Sequence, residues 1–381
     1  MISSQEIDQY IKSADWRERL RCAESKDFTP TPQQVSRGLR DASKKVRKAW
    51  AERTDFTPTP QQVERGLTDK VSDVRLVWSE RTDYTPTPQQ IERGLIDEDT
   101  RIKVVWIQRK DSKPSPEQVS RGLMDDCSCV RCAWAERTDY TPTLEQIEKG
   151  LQDIIPSVQI EWIKRKDCTP TPEQIERGLL DTDELVIMTW LERMDWTPTP
   201  EQVERGLTDK HWAVRRAWVA RMDYSPTFEQ VKRGVHDDDK RVRLAWAERM
   251  DWTPTPDQVE KCLTDSSHLV RERWAKRMDF HPTPEQIERG LTDIDAWVRA
   301  AWAERMDFTP TPEQIERGII DDRRLVVLAW LDREDIEWTH EQMQLGLAHK
   351  DAMIRSYWGK VVKRMNYETP LCPDYISSMS I

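Results

Sequence analysis

The chain has 381 residues, 37% hydrophobic and 34% charged, with a formal net charge of −10. So acidic a chain has no general affinity for nucleic-acid backbone, which is bound by neutralising phosphates with Lys and Arg. With no apolar run of about 18 residues, and with an opening Met-Ile-Ser-Ser-Gln-Glu-Ile-Asp that lacks the basic and apolar regions of a signal peptide, neither a membrane span nor export is expected.

The first predicted element is a helix opened by Ser3, with Glu6 three residues on and the apolar pair Ile7 and Ile11 along one side. Residues 1–27 form an atypical first repeat, because Cys22 stands where every later repeat carries tryptophan. From Trp50 onward, twelve tryptophans follow one another at intervals of 28 residues and end at Trp358. A fixed period of this length marks an array in which each repeat buries its apolar side against its neighbours.

Residues 59–83 show the pattern in full. Thr59, Pro60 and Gln62 make a capping box with proline at the first helical position. Ser or Thr fills that slot in all thirteen repeats, from Ser3 to Thr339. The first helix closes near Leu67 and directs Val63, Gly66 and Leu67 to one side. Asp69 is expected to cap a second helix, where its charge suits the helix dipole; Asp holds that slot from Asp41 to Asp321 and His349 breaks it. Val74, Val77, Trp78 and Arg81 then recur at helical spacing, an apolar stripe ending in a cation. Pro86 ends the second helix. Gly66 and its equivalents read as ordinary helical residues kept small for a tryptophan ring. Cys262 takes the slot once, and cysteine does not readily adopt positive φ.

The expected architecture is all-α: an α-solenoid, or superhelix, of about 13 two-helix repeats of 28 residues. Residues 1–364 are read as a single domain, with 1–27 and 339–364 as capping repeats and 365–381 as a tail. Asp209-x-x-Trp212-x-Val214-Arg215-Arg216-Ala217, followed by Ser225-Pro226, resembles the leucine-rich repeat variant family and, more broadly, HEAT-type repeats. That resemblance implies a right-handed superhelix whose second helices line the concave side, and it implies no single function.

Chemistry is sought where residue types converge. Arg53 to Arg333, three residues after each tryptophan, and Asp55 to Asp335, five after, are too uniform to discriminate among ligands. They read as ties for the proline loops. The in-phase tryptophans read as core, and Trp212 and Trp297 as exposed. Cys127, Cys129 and Cys132 with Cys168 read as scattered thiols, so no metal is expected, and seven cysteines out of phase with the repeat suit a reducing cytoplasm. The six histidines occupy different slots, and no phosphate loop or H-E-x-x-H occurs. Neither an enzyme, a cofactor nor a small-molecule substrate is expected.

What varies is the second-helix face five and two positions before the tryptophan. Its candidate partner-binding residues are Arg101, Val104, Ile160, Leu185, Met188, Arg216, Arg241, Leu244, Leu269, Trp297, Leu325 and Leu328, with Trp212 in the turn before. Apolar residues scattered among charges suit a protein partner, and a scaffold or inhibitor is the leading reading. The alternative is a nucleic-acid-related role, by direct binding through Lys44, Lys45, Arg47 and Lys48 or by acidic mimicry of DNA.

Overall fold

The computed structural model describes residues 4–364. The Ser3–Glu6 cap and the 365–381 tail lie outside the described residues. These form 26 α-helices and no strand, from the pair Ser4–Lys12 and Trp16–Glu24 to the pair His340–Leu347 and Ala352–Arg364. The chain is an α-solenoid of thirteen helix pairs. Packing divides it into two compact units between Asp195 and Trp196. Within each unit, second helices pack along their lengths on those of the adjacent repeats, whereas first helices touch sparsely.

Each helix pair follows from its sequence. In the Pro60–Leu67 helix, Thr59 accepts from the Gln62 N–H while the Gln62 side chain accepts from the Thr59 N–H at 2.8 Å. The reciprocal box recurs in the later repeats through Thr339, including the Ser115 variant. All twelve in-phase tryptophans are buried. None of the glycines has positive φ, and a Cβ on Gly66 would lie 2.3 Å from the Trp78 ring of the same repeat. Helix-to-helix approach, not a turn, keeps that residue small. A Cβ on Gly178 would lie 1.9 Å from Nε1 of Trp190. Gly178→Ala is therefore expected to destabilise by about 1–3 kcal/mol through overpacking, although alanine is the better helix former. A raised melting temperature would contradict this. Cys262, in the same slot, is buried, and burial pushes its thiol up to about 12, so it stays protonated at neutral pH.

The second-helix cap corrects the sequence reading. That helix begins at Ser72 with Val71 in the cap position, and Asp69 accepts from the Val71 N–H at 2.9 Å. Two residues too early to reach the first turn, Asp69 makes a local turn and points its carboxylate at the repeat before it. Arg47, three residues before Trp50, donates to it twice, at 2.6 and 2.8 Å. Side-chain caps come from the later position occupied by Asp99, Asp183, Asp239 and Asp295. Thus a helix signal kept constant through the array serves the joint between repeats.

Three ladders join the repeats. The Arg47–Asp69 pair recurs as Arg75–Asp97, Arg131–Asp153, Arg215–Asp237, Arg243–Asp265, Arg271–Asp293 and Arg299–Asp321. Val327 and His349 replace both partners at once. His349 lies 3.1 Å from the Asp321 carbonyl through Nε2 and accepts from the Asp351 N–H through Nδ1, which makes Nε2 the donor. In the second ladder, Arg81 donates to the Ala51 and Arg53 carbonyls at 2.7 and 2.5 Å and to Asp83. Its guanidinium also covers Phe56 of the preceding loop and its own Trp78. This bears out loop tethering and adds an aromatic face that the sequence reading missed. The third ladder runs along the first helices. The box glutamine Gln90 donates through Nε2 to Glu64 at 3.1 Å, and Arg93 pairs with the other oxygen at 2.7 Å. Gln230 and Arg233 do the same to Glu204, and Gln314 and Arg317 to Glu288.

The Asp carboxyls of the first ladder give a pH signature. Burial raises the carboxyls of Asp69 and Asp265, but the arginine bonds and the N–H two residues on outweigh it and hold both below the usual value. A carboxyl depressed in the folded state stabilises it above the unfolded value, near 4, and that stability is lost as pH falls through the folded value. The melting temperature should therefore decline below about pH 4, less steeply in Arg243→Gln than in the wild type. Equal acid slopes would show that this ladder does not carry the effect.

Candidate interaction surface

The two variable slots lie on the side of each second helix away from its tryptophan. None of the thirteen candidate residues is buried. Leu185 and Trp297 are 55% and 58% exposed, and Leu269, Arg101, Arg216 and Arg241 are also exposed. Val104, Ile160, Met188, Leu244, Leu325 and Leu328 are half-buried. Ala300, in the same series, is buried, so the face narrows beside Trp297.

Neighbouring slots touch from one repeat to the next. Arg101 donates to Asp73, its counterpart 28 residues earlier, at 3.2 Å, and is held by Asp99 at 2.7 Å. Arg241 is held by Asp239 at 2.7 Å and lies 3.2 Å from the centre of the Trp212 ring, which stacks on His211 behind it. Trp212 is therefore half-buried, covered by its neighbour and less open than Trp297. The bond from Arg241 also holds Asp239 down to about 2. Lys45 lies over Trp16 at 5.1 Å. Two arginines of this face, Arg101 and Arg241, thus have partners of their own.

Sequence reasoning missed a second exposed row. Met194, Met222, Met250, Met278 and Met306, four residues after successive tryptophans, are all more than half exposed. The signal lay in the fixed Arg-x-Asp phrase, whose middle residue is Thr or Lys up to Lys166 and then Met in five consecutive repeats. Ile96, Met124, Leu180 and Ile320 are likewise exposed in the turn between the helices.

Among the described residues Cys127, Cys129 and Cys132 are free thiols, no group of three or more His, Cys, Asp and Glu side chains is placed to hold a metal ion, and no helix is long and apolar enough to cross a membrane.

These features define an α-helical repeat protein of the solenoid class. No family model and no curated protein matches the chain. Among solved structures it is similar to one described as a leucine-rich repeat variant with a novel repetitive protein structural motif, with 18% identity, a TM-score of 0.35, and coverage of 70% of this chain and 87% of that one.

Proposed function

We propose that the protein is a non-enzymatic binding solenoid of the cytoplasm, a scaffold or inhibitor that holds a protein partner along its second-helix face. The observation that carries this is the exposure of Leu185 in one unit and of Leu269 and Trp297 in the other, large apolar side chains left open where the core has no use for them. Such residues are typical anchors when a partner desolvates them. The fixed residues are already occupied by caps, core and ladders. The free thiols suit a reducing compartment.

A protein partner is favoured over a nucleic-acid track, because Arg101 and Arg241 are paired with carboxylates and successive slots repeat no cation. The test is co-purification of the native complex followed by substitution. Leu185→Glu with Met188→Glu, and separately Leu325→Glu with Leu328→Glu, should weaken partner binding at least tenfold, about 1.4 kcal/mol, with the helical content unchanged. Undiminished binding in both variants would remove the face from consideration. Competition by DNA for the captured partner, without DNA binding by the solenoid, would instead favour acidic mimicry.

A further inference from the structure

The first-helix ladder has one joint where a lysine stands in place of the glutamate. At other joints of the unit that starts at Trp196, a glutamate receives both the box glutamine and an arginine, as at Glu204 and Glu260. At the joint between helices Phe228–Gly234 and Pro256–Leu263, Lys232 stands in the glutamate slot and Lys261 in the arginine slot. Gln258 keeps its capping box, accepting from the Thr255 N–H at 2.9 Å. Its amide is therefore held as in the other repeats, with Nε2 directed at the residue 26 positions earlier. Here that residue is Lys232, and the Gln258 Nε2 is buried without a partner. The Gln258 side chain belongs to a residue only 4% exposed. Where serine replaces the glutamate, at Ser36 and Ser120, its hydroxyl accepts from the glutamine at 3.0 Å. Lysine has no acceptor to offer.

We propose that Lys232, Gln258 and Lys261 form a site for a carboxylate supplied from outside the chain, an acidic side chain of a protein partner. The incoming group takes the place of the missing glutamate. One oxygen accepts from the Gln258 Nε2, the other meets the Lys261 ammonium, and Lys232 swings aside to supply a second cation. An amide donor with no acceptor is costly to bury, so occupation satisfies a group that the fold leaves open. Both lysines are exposed and make no ion pair among the described residues. Glu229 and Asp257, one turn before the lysines on the same two helices, are also exposed, while Glu260 beside Lys261 and Glu204 on the preceding first helix are engaged by Arg289 and Arg233. This site lies on the first helices, away from the second-helix face, and does not depend on the function proposed for that face.

The experiment uses the full chain and a hexaglutamate peptide, with hexaglutamine and inorganic phosphate as comparisons at constant ionic strength. Hexaglutamate should raise the melting temperature of the wild type by about 2 °C relative to hexaglutamine. Lys232→Glu rebuilds the internal ladder, so it should show that rise without peptide and no longer respond to it. Lys240→Glu, an exposed position with the same charge change, should respond like the wild type. The site is refuted if the wild type does not respond, if Lys232→Glu responds equally, or if Lys240→Glu loses the response. A response to phosphate equal to that to hexaglutamate would overturn the assignment of a carboxylate.

Discussion

Trp246→Ala is expected to lower stability by about 3–5 kcal/mol, the range for deleting a large aromatic from a packed interior. Trp246 is 1% exposed, and its ring lies where a Cβ on Gly234 would come within 2.0 Å of Nε1. The two helices of the repeat are too close for any other residue to fill the space without rearrangement. Deletion also removes the ring that faces the Arg249 guanidinium at 5.8 Å. Urea titration followed by circular dichroism and by fluorescence would measure the loss. Two probes are needed because a repeat array can lose one region before another. An unchanged midpoint would place the ring outside the core.

Arg277→Ala should be comparably severe, about 3–5 kcal/mol, because it removes one side of a buried, fully bonded charge. Arg277 is 2% exposed. It donates to the Ala247 and Arg249 carbonyls at 3.2 and 2.6 Å and grips Asp279 with both ends of its fork. Its Cζ lies 4.8 Å from the ring centres of both Trp252 and Trp274. Arg277→Lys should recover little of the loss, since an ammonium can neither fork onto the carboxylate nor lay a flat face on an aromatic ring. Asp279→Asn should cost much less, because that side chain reaches solvent and the carbonyl bonds survive. A lysine variant as stable as the wild type would show that charge alone is needed.

The helix starts and the tryptophan core were legible because both are local or periodic. A capping box spans four residues, and a stripe such as Val74, Val77 and Trp78 declares its buried side by spacing alone. The role of Asp69 was misread for the opposite reason. Its true partner, Arg47, is 22 residues earlier, and nothing in a short window links them. Gln90 was read correctly as half of a box, and that sufficient explanation hid its second bond to Glu64. On the candidate face, the exposure of Leu185 and Trp297 followed from their place opposite the core stripe. The cover that Arg241 gives Trp212 did not, because it joins side chains from two variable slots whose conformations are set after the backbone is in place.

The ladders also bear on how such a chain can change length. Their bonds connect residues 22, 26 and 28 to 30 positions apart, so every partner of a joint lies within about one period. Removing or duplicating a block of 28 residues at equivalent points keeps the register in which the ladder residues of adjacent repeats meet. Gaining or losing one residue moves every arginine of the affected joint off its carbonyls and carboxylate. The array can therefore grow or shrink by whole copies while resisting smaller insertions. Inside the block, the proline-bearing loops are as intolerant as the helices, because their carbonyls are what the next arginine holds.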